Sequence, residues 1–410
     1  MVRLNFKSSL LVLVILFSFG GVAKSDENCS YQQFYNVAKR HGYPIQTHTT
    51  VTEDGFHLTM FRLQKGPNFV SGKPVAFIQH GFTQSSEGWM INDFKNSLPV
   101  KLIEAGFDLW LGNNRATKYS QVSDKFQMTD KQYWEFSFQQ MGMYDAPAQL
   151  GYVVKTTGQI QLTYIGHSQG TSQMFAALSD SKTQQWMNQH VKHFVALAPI
   201  CYMTNFDQTL IKDIAYFRTG VVDLLKSLKK YALEKNNCAP SEANIVFYES
   251  VCRAGSADPK ICDMPYKMTD KYPEYVNLPL TGYFVNSKPQ AFALQVMDHF
   301  AQLINQKSPR FMKFNWGEER NLQEYGQLTP PEFNLGNIKT KVTAFVGTGD
   351  PFATVADVAN LKKAIPQMEV HQLEGWGHTA FMLGSQSDSV YNQLVQSLLA
   401  EQNTLRSETI

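Results

Sequence analysis

The sequence is poor in several things, and each shortage excludes a class of protein. Only 18% of its 410 residues are charged, and Lys+Arg 37 nearly balances Asp+Glu 35. Residues 1–25 hold Arg3, Lys7 and Lys24 and no acid, so the remainder is close to neutral. Such a chain has no electrostatic footprint for a phosphate backbone, which argues against nucleic acid as a partner. Cysteines number five: Cys29, Cys201, Cys238, Cys252 and Cys262. None forms a C-x-x-C pair, and no His stands at ligand spacing from a second His or Cys, so no metal or other cofactor is expected. No apolar run reaches the eighteen or so residues of a membrane span. Internal repeats and low-complexity tracts are absent too.

What is present begins at the amino end. Arg3 and Lys7 precede an apolar run, Leu10 to Phe19 broken only by Ser18, and then Gly20, Gly21, Ala23 and Ser25. Basic start, short apolar core and small-residue zone are the order of a secretory signal cut after Ala23 to Ser25, and the run is too short for an anchor. Secretion or delivery to an oxidising lumen follows. An odd cysteine count leaves at least one thiol unpaired within the chain, and Cys252–Cys262 is the expected local disulfide in the cluster with Cys238. Asn28-Cys29-Ser30 is the single N-glycosylation sequon, placing a candidate glycan on Asn28.

With 43% apolar residues, the remainder can bury a large core. His48 to Leu63 alternates about Asp54-Gly55 and reads as a hairpin. Short apolar runs follow at Val75–Gln79, Phe107–Leu111, Leu162–Ile165 and Phe194–Leu197, and again at Val342–Val346 and Met368–Leu373. Helix-like segments separate them: Phe94–Ala105, Tyr133–Lys155, Ser172–Leu178 and Val355–Ala364. Buried strands alternating with helices predict an α/β fold, a mostly parallel sheet with helices on both faces. Between about Cys201 and Arg320 the rhythm breaks. Ile211–Leu233 looks helical, then Pro240, Pro259, Pro265, Pro273, Pro279 and Pro289 punctuate the chain. The expected division is 1–25 signal, 26–200 and 321–410 core, and 201–320 a largely helical cap over the sheet's carboxyl edge, where open α/β folds bind ligands.

Gly166-His167-Ser168-Gln169-Gly170 fits G-x-S-x-G. The pentapeptide alone is a weak signal; its place between the strand Leu162–Ile165 and a helix makes Ser168 the candidate nucleophile, against the plainer reading of a capping serine. A serine hydroxyl needs a base, itself oriented by a carboxylate. Asp350 ends a strand through Gly347-Thr348-Gly349, and His378 follows a strand in Gly375-Trp376-Gly377. Both lie downstream of Ser168 in the order Ser, acid, His. Their competitors are Asp357, which falls on a helix, and His371, which falls inside a strand. Negative charge developing on an attacked carbonyl needs waiting donors. The backbone N–H of Gln169 is one, and that of Phe82, in the loop after Val75–Gln79, is the other. His80 reads as a support for that loop.

These residues resemble the acid lipase family, the gastric and lysosomal lipases, over nearly the whole mature chain. The similarity includes Gln79-His80-Gly81, the run from Ala105 to Arg115, Trp134-Glu135-Phe136-Ser137, Met143 to Ala148, Gly166 to Thr171, and Phe314-Asn315-Trp316-Gly317. The resemblance implies an α/β-hydrolase with a helical cap, hydrolysing triacylglycerols or steryl esters at an emulsion or membrane interface in acidic settings. It places nucleophile, acid and base on Ser168, Asp350 and His378, and the oxyanion donors on Phe82 and Gln169. Two positions depart from the pattern: Phe82 stands where the family usually has Leu, and Ala380 where it usually has Asp. The cap is the least similar part. Its aromatics Tyr202, Phe206, Phe217, Tyr283, Phe284, Phe292 and Phe300 are candidates for an acyl pocket or, individually, for ordinary packing. Lys226, Lys229 and Lys230 form either a lipid-headgroup patch or a solvated helix face. Two other functions fit the same fold: a lipid carrier with a vestigial site, and a hydrolase of other esters or peptides.

Overall fold

The computed structural model describes residues 42–66, 68–93, 96–216, 231–233, 252, 262, 265–287 and 290–408. The expected signal, Asn28, Cys29, Phe217, the three lysines and Cys238 lie outside the described residues. Ten strands are described: β1 (Ile45–Val51), β2 (His57–Leu63), β3 (Val75–Gln79), β4 (Asp108–Gly112), β5 (Leu162–His167), β6 (Val191–Leu197), β7 (Ala232–Leu233), β8 (Phe292–Ala293), β9 (Lys341–Gly347) and β10 (Glu369–Leu373). Eight form one sheet in the order β1-β2-β4-β3-β5-β6-β9-β10. The hairpin partners β1 and β2 are antiparallel, as is β2 against β4, and every other neighbour is parallel.

Burial explains the sequence of these strands. Every residue of β3, β4 and β5 is buried, because helices cover both faces, and such strands read as continuous apolar runs. Phe77 stacks on Tyr164, which meets Phe194 edge-on, and these rings and Trp110 are buried in one core, each large side chain worth roughly 1.5–3 kcal/mol on removal from water. Edge strand β10 differs. Glu369, Val370, His371 and Gln372 are exposed, and charge on an edge discourages pairing with another chain.

The helices depart from expectation where local chemistry intervenes. The stretch Tyr133–Lys155 is not one helix. A short turn covers Lys131–Trp134, and Ser137 then starts the helix through a reciprocal capping box with Gln140. A π turn follows at Met141–Asp145, just before Ala146–Thr157 with Pro147 in its first turn. That bulge turns Asp145 inward, where it pairs with the buried guanidinium of Arg115. Leu233 also differs, lying in β7 opposite β8 rather than in a helix. The expected disulfide Cys252–Cys262 is present, and Cys201 is a buried free thiol.

The described parts of 265–293 sit against loops at the carboxyl ends of the strands. Gln290 N–H donates to the Thr83 carbonyl after β3, and Lys271 N–H to Gly349 after β9. Asn277 N–H reaches Leu383, in the segment after the histidine loop.

Candidate active site

Ser168 stands between β5 and the helix Gln169–Ser179. Its backbone takes φ 54° and ψ −120°, a region L-residues rarely occupy. Tight packing enforces this. A Cβ on Gly166 would come 2.7 Å from the Gly170 carbonyl oxygen, and one on Gly170 would come 2.7 Å from the Gln79 carbonyl oxygen. The two motif glycines therefore let strand, helix and the loop after β3 meet at one point. Hydrogen bonds from Ser168 N–H to the Leu197 carbonyl and from Thr171 Oγ1 to the Ser168 carbonyl hold the turn.

Two further loops bring in the other groups. After β9, Gly347-Thr348-Gly349 packs back to back with Gly375-Trp376-Gly377. A Cβ on Gly347 would fall 2.0 Å from the Trp376 carbonyl oxygen, so glycine is required at that crossing. Gly349 N–H donates to the same carbonyl. The result is a continuous relay: His378 Nε2 lies 2.7 Å from Ser168 Oγ, and His378 Nδ1 lies 2.8 Å from Asp350 Oδ2. The other Asp350 oxygen accepts from the N–H groups of Phe352 and Ala353 at 2.8 and 2.9 Å, which fixes its orientation. With the carboxylate facing Nδ1, the proton sits there and leaves Nε2 to accept from the serine hydroxyl. All three side chains are buried.

The competitors are engaged elsewhere. Asp357 accepts from Thr204 Oγ1, Asn205 N–H and Asn205 Nδ2. His371 is an exposed edge residue paired with Glu369 and stacked on Phe345. His80 braces its loop: Nδ1–H donates to the Gly81 carbonyl and Nε2 accepts from Asn114 N–H.

Phe82 lies in a turn closed by Gly81 N–H to Gln84 Oε1 and Gln84 N–H to the Gly81 carbonyl. A Cβ at Gly81 would lie 2.9 Å from Ser168 Cβ, so this backbone passes directly beside the serine. Gln169 opens its helix, and a first-turn N–H has no partner within the helix. Phe82 and Gln169 line one small cavity, with Phe136, Met141, Phe292 and Val296. The Phe82 ring meets Phe292 edge-on at 4.6 Å and Phe300 at 6.0 Å. On the histidine side Phe352 lies 4.9 Å from the His378 ring and stacks on Phe206. Of the other aromatics expected in a cap, Phe284 packs on Tyr266.

Sequence reasoning passed over two residues here. His167 donates from Nε2 to the His378 carbonyl at 2.9 Å, with the two rings 4.9 Å apart. Its place inside the pentapeptide was the available signal. Asp270 touches the histidine loop from the segment 265–287, and nothing in its proline-rich surroundings marked it. Among the described residues, no group of three or more His, Cys, Asp and Glu could hold a metal ion.

Family models match part of this chain, and known proteins resemble it over most of its length. A model described as a partial alpha/beta-hydrolase lipase region matches residues 34–93, and one for the alpha/beta hydrolase fold matches residues 74–225. Gastric triacylglycerol lipase of Rattus norvegicus is 29% identical over 414 residues, spanning 96% of this chain and 99% of that protein. Lipase member K of Homo sapiens is 28% identical, with 93% and 95% covered. Lipase 3 of Drosophila melanogaster is 31% identical over 87% of this chain and 90% of its own. Full-length similarity of that kind, on an eight-stranded α/β sheet, means that the chain belongs to the acid lipase family of α/β hydrolases and is a carboxylic ester hydrolase.

Proposed function

We propose that this lipase cleaves neutral lipid esters, triacylglycerols or steryl esters, through an acyl-serine intermediate on Ser168. The observation that carries the reading is the unbroken relay Asp350–His378–Ser168 beside the backbone of Gly81 and Phe82. Ser168 Oγ attacks the ester carbonyl while His378 Nε2 takes its proton. Asp350 accepts the Nδ1–H bond and stabilises the imidazolium. The N–H groups of Phe82 and Gln169 receive the oxyanion, and such donors are worth roughly 10²–10³ in kcat each. His378 then protonates the departing alcohol, and water attacking the acyl-serine completes the cycle. Phe82 and Phe292 line the cavity beside Gln169, with Phe300 against Phe82, and Phe352, stacked on Phe206, lies against the His378 ring, an apolar setting suited to acyl chains. The segment 201–320 serves as the cap that meets the lipid surface. The protein works outside the cell or in a lysosomal or digestive lumen.

The test is hydrolysis of triolein, cholesteryl oleate and short esters across pH, with Ser168→Ala alongside. Turnover of a long-chain ester on the acidic side of neutrality is expected, falling roughly 10⁴- to 10⁶-fold in the variant. Unchanged turnover in Ser168→Ala would overturn the reading, and a rate maximum well above neutrality would overturn its acidic setting.

A further inference from the structure

In the loop that carries His378, the two residues after the histidine are Thr379 and Ala380, neither of them an acid. A carboxylate reaches it from the cap. Asp270, 1% exposed, accepts from Thr379 N–H at 3.1 Å and from Ala380 N–H at 3.3 Å, both onto Oδ1. Its Oδ2 receives the Thr269 hydroxyl at 2.7 Å. The neighbouring backbone adds two more bonds: His378 N–H donates to the Thr269 carbonyl at 2.9 Å, and Lys271 N–H to Gly349, the residue before Asp350. Thr379 Oγ1 closes the set on Thr269 Oγ1. Three consecutive cap residues thus hold the backbone of the base and the loop of the acid together.

The fit is close enough to dictate a glycine. A Cβ on Gly377, the residue before His378, would lie 2.1 Å from Asp270 Oδ1. We propose that Asp270 is a positioning residue for the catalytic relay, fixing the His378 loop so that the imidazole spans Ser168 and Asp350. This inference rests on the acyl-serine reading above.

The arrangement does not need the charge. Burial, together with the Asp350 carboxylate, pushes Asp270 up to about 6. When protonated, Oδ2 becomes a donor to Thr269 Oγ1, whose own hydroxyl can turn to the Tyr266 carbonyl at 3.1 Å. Oδ1 still accepts both backbone N–H groups. Asparagine keeps Oδ1 as the acceptor of both N–H groups and places Nδ2 as the donor, losing only the longer 3.3 Å contact of Thr379 N–H to Oδ2. Alanine removes it and leaves two buried N–H groups without an acceptor.

The experiment compares full-length wild type, Asp270→Asn and Asp270→Ala on p-nitrophenyl butyrate at pH 5, with thermal melts and fluorophosphonate labelling of Ser168. A misplaced base lowers the chemical step rather than substrate binding, so Asp270→Ala is expected to lose roughly tenfold to a hundredfold in kcat and in labelling rate, with KM within about twofold. Asp270→Asn is expected to stay within about threefold of wild type, because the acceptor geometry is intact. Should the alanine variant not fold, Asp270→Ser replaces it under the same criteria. A kcat within twofold of wild type in a folded Ala or Ser variant overturns the proposal, as does an Asn variant as impaired as Ala. Loss of the acyl-serine reading itself would show differently, as wild-type turnover surviving Ser168→Ala.

Discussion

Phe82 joins two roles in one residue. Its backbone N–H is the proposed oxyanion donor, and its ring forms the aromatic wall against Phe292 and Phe300. Leucine keeps the N–H and shortens the wall. In Phe82→Leu, kcat/KM for long acyl chains relative to butyrate is expected to rise several-fold, since a methylene's worth of pocket is worth about 1–3 kcal/mol. A series of p-nitrophenyl esters from butyrate to palmitate measures it, and a flat ratio would separate the ring from chain-length selection. Ser168, Asp350 and His378 were legible in the sequence because each terminates a recognisable strand or follows it through glycines. Asp270 was not legible: it lies more than a hundred residues from its partner and on no periodic element. His167 could have been found, because it lies inside the pentapeptide next to Ser168, on the strand end that meets the His378 loop.

At the level of elements, the junction of β5 with the helix Gln169–Ser179 decides whether Ser168, the proposed nucleophile, is presented at all. Gly170 packs its α-carbon against the Gln79 and His80 carbonyls, leaving no room for a methyl group. Gly170→Ala is expected to cost about 1–3 kcal/mol through overpacking, read as a lower urea midpoint at unchanged slope. The central strands were readable to within one to three residues, because burial on two faces writes an unambiguous apolar run. Helix starts were less so. The capping box at Ser137 and the π turn at Met141–Asp145 depend on side-chain hydrogen bonds and on the demand of Arg115 for an inward carboxylate, neither of which leaves a periodic trace.

Over the whole molecule, pH acts through opposed buried groups. Asp270, raised to about 6, favours the folded state at low pH; that contribution is fully present below 3.8 and is lost as pH rises through 6. His299 acts in the other sense. Burial lowers it from 6.5 to about 3, with Nε2–H on the Met312 carbonyl and Nδ1 facing Ser137 Oγ, so stability is lost as pH falls from 6.5 toward 3. His193, lowered to about 4 by burial and by Lys341 and Lys192, adds to that loss. Replacing His299 with Gln keeps a donor toward Met312 and removes the titration. Between pH 6.5 and 4 the variant is expected to lose about 1–3 kcal/mol less stability than wild type, measured as the difference in urea midpoints across that window. The sequence showed ten histidines without saying which were buried, and that depends on packing between distant segments. The same global packing holds Ser168 in its unfavourable backbone conformation. A lone glycine there would let the polypeptide relax where the serine cannot, giving a sturdier molecule that, under the proposed acyl-serine chemistry, had gone silent toward esters. Durability and reactivity pull in opposite directions at that one α-carbon, and this fold has settled for the reactive side.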